Sequence, residues 1–428
     1  MSQSQRFETL CLHAGHTPDA ETRSRALPVY RTTSYVFDDS DHAADLFSLK
    51  QPGNIYTRIM NPTQDALEKR MAALEGGAGA LALASGTSAI FYSIINICSA
   101  GERVVSANNL YGGTVTMFGN ILPQFDIHVD MVDPRNPENF EKAITDGTRA
   151  LFMETIGNPA LEVTDLQAVA EIAKKHHLPM IVDSTFTTPY LLRPMEHGAD
   201  IVVHSLTKWI GGHGTGIGGI VVDSGRFDWT DPKFELYNTP DPSNFNLRFA
   251  HDLAADNPLA FIVRMRQVPL RNLGACIAPD NAWLFLQGLE TLPLRMARHC
   301  ENALAVAEFL KFHAGVEWVR YPGLPDDPAH SVAARYLANG FGSMVVFGIK
   351  GGREAGKRFI DKLKLFSHLA NVGDAKSLAL HPASTTHSQL TEEQQLAGGL
   401  SPDMIRLSIG IENIDDIRAD LDQAFDGR

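Results

Sequence analysis

The chain has 428 residues, of which 44% are hydrophobic and 20% charged, a composition typical of globular proteins with two or three domains. Its formal net charge of −13 argues against a nucleic-acid partner, because the phosphate backbone would meet too few cations. Four cysteines without metal-ligand spacing favour a reducing, cytoplasmic setting, and we expect neither a disulfide framework nor a metal centre.

Two features of the first hundred residues bear on secretion and membranes. The first ten residues lack the apolar core of a signal peptide. The longest apolar stretch, residues 78–100, is interrupted by polar residues such as Ser85, Thr87 and Asn96. We therefore predict a buried strand followed by a buried helix at this stretch, and no membrane span.

From Asn61 onward, helical patterns alternate with short apolar runs. Asn61, Pro62 and Gln64 provide an N-cap, a first-turn proline and a capping-box partner, and Gly76 ends this first helix. The predicted strands that follow are Ala80–Ala84, Arg103–Ser106, Ile127–Val132, Ala150–Met153, Met180–Val182 and Ile201–Val203. The predicted helices between them are Ala89–Ile97, Val115–Leu122, Pro137–Ile144 and Leu166–His176. Apolar strands separated by helices indicate an α/β fold whose largely parallel sheet is covered on both faces, in a large domain over residues 61–275.

From residue 223 onward the composition and the hydrophobic pattern change. Residues 223–271, rich in Asp, Pro and aromatic residues, predict an ordered insertion with little regular structure. A long helix from Asp280 to Phe312 is expected to lead into a smaller α+β domain within residues 276–428. There, Met344–Phe347 and Ile405–Ile409 look like strands and Ile414–Phe425 like a closing helix. Residues 1–60 would form an N-terminal arm.

Three of the apolar runs end in conspicuous polar residues. These are Glu154 and Asn158 after the fourth strand, Asp183 after the fifth, and His204, Ser205, Thr207 and Lys208 after the sixth. In open α/β sheets ligands bind beyond the carboxyl ends of the strands, so these residues should converge on one crevice.

A lysine, an aspartate and small hydroxyls in one crevice suit pyridoxal phosphate. The cofactor's aldehyde needs a lysine amine, for which Lys208 is the candidate, and a buried carboxylate such as Asp183 would keep the ring nitrogen protonated. Its phosphate needs converging donors at a helix start. The candidates for that role are Ser205, Thr207 and the Ser85-Gly86-Thr87 turn, and Tyr111 could stack on the ring.

Plainer readings of the same residues exist. Asp183 could merely cap a turn, Lys208 taken alone could be a surface residue, and Arg406 might only pair with Glu412. Gly214, Gly216 and Gly219 spell a dinucleotide fingerprint, but a strand-like run follows them instead of a helix. We therefore reject a dinucleotide site there.

The motifs in order, YTRIMNPT, ASGTSAI, NLYGGT, ETIGNP, IVDSTFTTP and VHSLTKWIGGHG, resemble the Cys/Met-metabolism family of fold-type-I pyridoxal-phosphate enzymes. The resemblance covers nearly the whole chain. Within the family, FETLCLHAGHTPD, HPASTTHSQLT and MIRLSIGIE are similar to the O-acetylhomoserine sulfhydrylase branch, and the insertion supports that branch.

The resemblance implies roles for further residues. Tyr56 and Arg58 would reach the phosphate of the neighbouring subunit's cofactor, which makes a dimer the minimal active unit and a tetramer the common form. Asn158 would contact the cofactor's phenolic oxygen, and Arg406 and Ser377 would bind the substrate's carboxylate. Tyr111 and the partner's Tyr56 could assist proton transfer.

The implied reaction is γ-replacement on O-acetyl-L-homoserine with sulfide, giving L-homocysteine and acetate. It needs a flexible base that serves first Cα and then Cβ, for which the Lys208 amine is the candidate. Methanethiol as acceptor and O-succinylhomoserine as donor stay open. Alternatives are a methionine γ-lyase or cystathionine γ-synthase-type enzyme, a nicotinamide dehydrogenase built on the glycine run, and an inactive binding protein on the same fold.

Overall fold

Short apolar runs bounded by turns build two β-sheets in the computed structural model, which describes residues 5–253, 258–385 and 400–425. The strands are β1 Gly79–Leu83, β2 Arg103–Ala107, β3 His128–Val132, β4 Thr148–Glu154, β5 Met180–Asp183, β6 Ile201–Ser205, β7 Gly219–Asp223, β8 Val316–Arg320, β9 Met344–Ile349, β10 Ser367–His368, β11 Leu378–Leu380 and β12 Met404–Ser408.

The described helices surround these sheets and join them. They are α1 Phe7–His13, α2 Ser40–Phe47, α3 Pro62–Glu75, α4 Gly86–Ile95, α5 Gly112–Thr116, α6 Glu138–Ala143, α7 Leu166–Lys175, α8 Thr188–Leu191, α9 Glu235–Asn238, α10 Ala260–Met265, α11 Arg271–Leu273, α12 Pro279–Glu290, α13 Leu292–Lys311, α14 His330–Tyr336, α15 Gly352–Lys362 and α16 Ile414–Phe425. Single π-helical turns at Met117–Ile121 and Arg266–Leu270 and short 3₁₀ turns supplement them. Among the described helices, none is both long and apolar enough to cross a bilayer.

The large sheet has seven strands in the order β1-β7-β6-β5-β4-β2-β3. Strands β2 to β6 pair in parallel, as predicted, and their buried faces explain the unbroken apolar runs. Strands β7 and β1 pair antiparallel at one edge, a feature that the sequence did not predict. The strand and helix predicted within residues 78–100 are confirmed as β1 and α4.

The start and end of α3 follow from local chemistry. Asn61 accepts a hydrogen bond from the Thr63 amide at 2.9 Å, Pro62 occupies the first turn, and Gly76 ends the helix with φ +73°. The predicted capping box is wrong in its second half. Gln64 donates instead to the Ile277 carbonyl at 2.6 Å, because the packing of α12 against α3 places that acceptor nearby.

The smaller sheet has five strands in the order β10-β11-β12-β9-β8, with α13, α15 and α16 packed on it. The predicted strands at 344–347 and 405–409 and the helix at 414–425 are confirmed, with shifts of up to two residues. The single helix predicted from Asp280 to Phe312 is wrong. The helix is interrupted at Thr291 because Pro293, in the first turn of α13, lacks the N–H that would continue the hydrogen-bond pattern of α12.

Aromatic packing holds the described part of the predicted insertion, residues 223–253 and 258–271, in place. Trp229 stacks on Tyr237 and Phe261, with ring centroids 4.4 Å and 5.4 Å away, and contacts Phe234 edge-on. These rings join the core of the large sheet, and short helices occupy parts of the insertion. The division into residues 1–60, 61–275 and 276–428 stays a prediction. The HPASTTHSQLT motif extends beyond the described residues at 386–391.

Candidate active site

The carboxyl ends of β4, β5 and β6 lie side by side and carry the predicted polar residues. Glu154 is level with Asp183, and Asp183 is level with Val203, two residues before Ser205. Because successive side chains of a strand alternate between faces, Asp183, Val203 and Ser205 share one face of the sheet. Lys208 follows β6 by three residues. The topology therefore brings these parts of the constellation to one edge of the sheet.

Asp183 is held with one oxygen free for a ligand. Its Oδ1 accepts hydrogen bonds from the Thr185 amide at 2.9 Å and the Thr185 hydroxyl at 2.5 Å. No other described residue forms a hydrogen bond to Oδ2. Burial raises the pKa of Asp183, and the Thr185 hydrogen bonds oppose that rise. A cation at Oδ2 would restore the charged form.

Glu154 is a second buried carboxylate beside Asp183. Burial, and then the charge of Asp183, raise the pKa of Glu154 well above its ordinary value. Its Oε1 accepts the backbone N–H of Tyr111 at 2.7 Å. Glu154 therefore fixes the start of α5, where Tyr111 is the N-cap residue and its side chain is about half exposed.

The Lys208 amine lies in a largely enclosed position. It donates to Asn371 Oδ1 at 2.5 Å, and burial followed by the charge of Arg406 lowers its pKa from 10.5 to about 8. Such a pKa provides a substantial fraction of neutral, nucleophilic amine near physiological pH. The reading of Lys208 as a surface residue is therefore wrong.

The start of α4 faces the end of β6. Gly86 lies so close to Ser205 that an added Cβ would stand 2.7 Å from the Ser205 Cβ, and Ser85 caps the helix through the Ser88 amide at 3.0 Å. The amides of Gly86 and Thr87, in the first turn, have no intrahelical acceptor and suit an anion.

Thr207 is placed less simply for a phosphate. Its hydroxyl donates to the Gly218 carbonyl at 3.3 Å and accepts the Gly218 amide at 3.1 Å. The hydroxyl is therefore engaged with the loop before β7, and its contact with a phosphate stays a prediction.

Arg406 is buried without a carboxylate partner among the described residues. Its Nη1 donates to Asn158 Oδ1 at 3.3 Å, and burial lowers its pKa to about 10, which leaves it charged at neutral pH. The alternative pairing with Glu412 is wrong. Glu412 instead accepts the Ser377 amide at 2.6 Å and the Ser377 hydroxyl at 2.9 Å.

Ser377 is fully buried, and its hydroxyl also accepts the Gly410 amide at 2.9 Å. The side chain is thus engaged within the C-terminal sheet, and the role of Ser377 toward a substrate stays a prediction. Tyr56 and Arg58 lie in the N-terminal arm, where the guanidinium stands 5.3 Å from the ring centroid. Tyr56 is 40% exposed, and the role of both residues toward a neighbouring subunit stays a prediction.

The prediction that His204 converges on the crevice is wrong, whereas the end of the glycine run lies beside Ser85 and Thr207. His204 points to the opposite face of the sheet, where its Nε2 meets Glu75 Oε1 at 2.5 Å and both residues are fully buried. Gly219 begins the antiparallel strand β7, and an added Cβ would meet the Ser85 carbonyl oxygen at 2.1 Å. The rejection of a dinucleotide fingerprint is therefore confirmed, because no helix follows the glycines.

Sequence reasoning missed two residues of the crevice. Asn371, the partner of the Lys208 amine, lies 163 positions away, and no local pattern signals it. Thr185 could have been found, because a hydroxyl two residues after an aspartate is a common turn partner. Glu154 was noted at the strand end without a role.

These residues fit pyridoxal phosphate part by part. A half-buried amine with a lowered pKa, a half-buried carboxylate with one open oxygen and a glycine-lined helix start match the aldehyde, the ring nitrogen and the phosphate. A large mixed sheet with this crevice, followed by a smaller C-terminal sheet, defines a pyridoxal-phosphate-dependent enzyme of fold type I.

Comparisons with known proteins agree. The chain belongs to the Cys/Met metabolism PLP-dependent enzyme family, whose sequence model matches residues 8–426. It is 54% identical to the O-acetyl-L-homoserine sulfhydrylase of Leptospira meyeri over 99% of this chain and 98% of that protein. It is 49% identical to the homocysteine synthase of Schizosaccharomyces pombe, covering 99% of each.

A solved structure is similar as well. The crystal structure of a Campylobacter jejuni protein assigned as an O-acetylhomoserine (thiol)-lyase superimposes with a TM-score of 0.95 at 41% identity, covering 99% of this chain and 100% of that one. That structure contains a pyridoxyl-lysine monophosphate residue. The predicted family, fold class and cofactor are therefore confirmed.

Proposed function

We propose that this chain catalyses γ-replacement on O-acetyl-L-homoserine with sulfide, giving L-homocysteine and acetate. The observation that carries the proposal is the half-buried Lys208 amine, which donates to Asn371 Oδ1 at 2.5 Å and whose pKa is lowered to about 8 by burial and by the charge of Arg406. The same crevice thus combines a base with a cation for an amino-acid carboxylate. The names of the full-length relatives support this reaction over γ-elimination.

The proposed cofactor contacts are supported by the geometry of the crevice and by the family resemblance. Lys208 would hold the aldehyde, Asp183 Oδ2 the ring nitrogen, and Asn158 the phenolic oxygen. The phosphate would lie at the first turn of α4, with Ser205 beside Gly86 and Thr207 nearby. Tyr111 would cover the ring. When bound, pyridoxal phosphate supplies an electron sink for the negative charge that develops at the substrate's Cα.

Lys208 is the proposed proton carrier. γ-Replacement requires removal of a proton from Cα and then one from Cβ before acetate can leave Cγ, and both return after sulfide has added. A lysine amine on four methylenes can reach both carbons, and a pKa of about 8 suits both uptake and release of a proton. The Tyr111 hydroxyl, and Tyr56 of the partner subunit, are proposed to assist acetate departure.

Arg406 is the proposed carboxylate clamp. Its planar guanidinium can bind two carboxylate oxygens at once, and Asn158, the one side chain in the described part of the chain that hydrogen-bonds to it, keeps it oriented. Because Asn158 would also contact the cofactor, the clamp holds Cα in register with the ring.

The decisive experiment measures products and the visible spectrum together. The purified holoprotein should form homocysteine from O-acetyl-L-homoserine and sulfide, and its absorption band should shift on adding O-acetyl-L-homoserine. Lys208→Ala should bind the cofactor noncovalently and lose turnover. Release of 2-oxobutyrate without homocysteine would indicate a methionine γ-lyase instead, and retained turnover in Lys208→Ala would refute the mechanism. O-succinylhomoserine and methanethiol serve as alternative substrates.

We propose a cytoplasmic homo-oligomer, with a dimer as the minimal unit and a tetramer as the assembled form. Exposed apolar residues of the arm, among them Val36 at 97% and Phe47 at 46% exposure, support an intersubunit surface there. Mixing and reassociating the inactive variants Arg58→Ala and Lys208→Ala tests the shared site. Recovered activity would indicate that Arg58 acts across the interface, and its absence would place Arg58 in its own subunit's site.

A further inference from the structure

Three buried polar residues lie on one face of α13. Arg295, His299 and Asn302 are spaced four and three residues apart, so they fall on the same side of the helix. They are 5%, 0% and 2% exposed. Buried polar groups are retained only where they find hydrogen-bond partners, and here the partners are mainly backbone carbonyls of other segments.

Arg295 binds the turn that carries Lys208. Its Nη1 donates to the Trp209 carbonyl at 2.6 Å, and its Nη2 donates to the Ile210 carbonyl at 3.1 Å and to the Gly288 carbonyl at 2.7 Å. Burial lowers the pKa of Arg295 to about 10, so it remains charged at neutral pH. One guanidinium thus ties the two residues after Lys208 to the end of α12.

His299 and Asn302 bind the residues that follow β12, the strand of Arg406. The His299 Nδ1 lies 2.6 Å from the Ile409 carbonyl oxygen, and Asn302 donates to the carbonyls of Gly410 and Glu412 at 3.0 Å and 2.9 Å. Burial lowers the pKa of His299 to about 4, so the ring is neutral, and Nδ1 must carry the proton to bond a carbonyl.

The amides of this segment are bound from the other side. The Ile409 amide donates to the Ser343 carbonyl, and the Ile411 amide donates to the Ala375 carbonyl, both at 2.9 Å. The residues that follow β12 are therefore held between α13 on one side and the segments that precede β9 and β11 on the other. Since consecutive helical residues rise about 1.5 Å each, the two binding points on α13 stand about 10 Å apart along a stiff rod.

We propose that this polar face of α13 is a positioning element that sets the separation between the Lys208 turn and the Arg406 strand. It would thereby fix where the substrate's carboxylate is held relative to the cofactor amine. This inference rests on the proposed function for its substrate, but not for its effect on the cofactor. The cofactor end of this polar face is Arg295, which binds the Lys208 turn. Its carboxylate end is His299 and Asn302, which bind the residues after the Arg406 strand.

The carboxylate end is tested with shape-conserving changes. Asn302→Asp replaces the amide N–H donor with a carboxylate oxygen, which cannot donate to the carbonyls of Gly410 and Glu412. We therefore expect KM for O-acetyl-L-homoserine to rise about tenfold while kcat changes less than about twofold. The cofactor dissociation constant should stay unchanged. His299→Ala should act in the same direction, and His299→Asn, which keeps a donor near the Nδ1 position, should recover much of the loss.

The cofactor end is tested with Arg295→Lys. It keeps the charge but loses the planar fork, so we expect the cofactor dissociation constant to rise about tenfold and the visible circular dichroism of the bound cofactor to change. The matched control is Val306→Ala, one turn further along the same face and inside the second core. It should lower the thermal midpoint and leave KM, cofactor affinity and the dichroic band unchanged.

The measurements distinguish a positioning role of α13 from general destabilisation of the protein. Loss of kcat at constant KM in Asn302→Asp, or the same changes in Val306→Ala, would overturn the positioning role in favour of general destabilisation. If Asn302→Asp fails to fold, the pair His299→Ala and His299→Asn makes the same comparison. Absence of homocysteine formation by the unsubstituted chain would refute the proposed function, while the Arg295→Lys cofactor measurements would still decide the inference at Lys208.

Discussion

Replacing Arg406 by methionine should abolish efficient catalysis without weakening the fold. The guanidinium is buried, its one side-chain hydrogen bond among the described residues is 3.3 Å long and goes to the neutral Asn158 amide, and no described carboxylate pairs with it. An unpaired buried charge has lost its hydration without compensation. We therefore expect the free energy of unfolding of the cofactor-free protein to stay level or to rise by about 1 kcal/mol in Arg406→Met.

The catalytic loss follows from the missing carboxylate contact. A bidentate pair comprises two charge-assisted hydrogen bonds of about 1.5–3 kcal/mol each, which are not fully additive. We take about 3 kcal/mol in total, which lowers kcat/KM by about two orders of magnitude. The Lys208 pKa should rise above 8, because the charge of Arg406 is one cause that lowers it.

The assay compares kcat/KM for O-acetyl-L-homoserine with urea unfolding. Arg320→Met is the matched control, because Arg320 lies in the same sheet and its Nε binds the buried Asp327 Oδ2 at 3.0 Å. Breaking that pair should lower stability by about 2 kcal/mol and leave kcat/KM unchanged. If Arg406→Met loses more than about 2 kcal/mol of stability, Arg406 is part of the framework and the reasoning fails.

Three further changes test the electrostatics. Folding lowers the pKa of Lys208 from 10.5 to about 8. Lys208→Met should therefore raise the free energy of unfolding of the cofactor-free protein by about 3 kcal/mol below pH 8, and this gain should disappear as the pH rises to 10.5. Urea unfolding at a series of pH values measures the gain. Glu154→Leu leaves the Tyr111 amide without its acceptor, so it should lower the free energy of unfolding by about 1–3 kcal/mol and alter the visible circular dichroism of the bound cofactor. Glu154→Gln keeps a carbonyl oxygen and should change both quantities less. Equal effects of the two variants would count against a role for the hydrogen bond between Glu154 and the Tyr111 amide. Glu75→Leu leaves the buried His204 Nε2 without its partner and should lower the free energy of unfolding by about 1–3 kcal/mol, and adding His204→Leu should recover most of that loss; an additive double variant would show that the pair is not coupled.

Local chemistry in the sequence determined most of the large sheet and the sheet edge at which Asp183 and Lys208, the two residues proposed as the centre of its site, lie. Apolar runs long enough for strands, separated by helical periodicity, leave few arrangements other than a parallel sheet. Asp183 and Lys208 could be assigned because each follows such a run, and the carboxyl ends of parallel strands share an edge. Pro293 also carried a local signal for the break between α12 and α13 that a longer periodic pattern hid.

Only the tertiary structure decided which distant groups meet. Asn371 accepts a hydrogen bond from Lys208, and Gln64 donates to the Ile277 carbonyl instead of to its own helix. His204 contacts Glu75 on the face of the sheet opposite the crevice. These pairings depend on how helices and sheets pack, because a buried polar group takes the nearest partner in space whatever its place in the chain. The direction of β7, which runs antiparallel to both of its neighbours β6 and β1, has the same origin, since it is set by the connections and not by the strand's own residues.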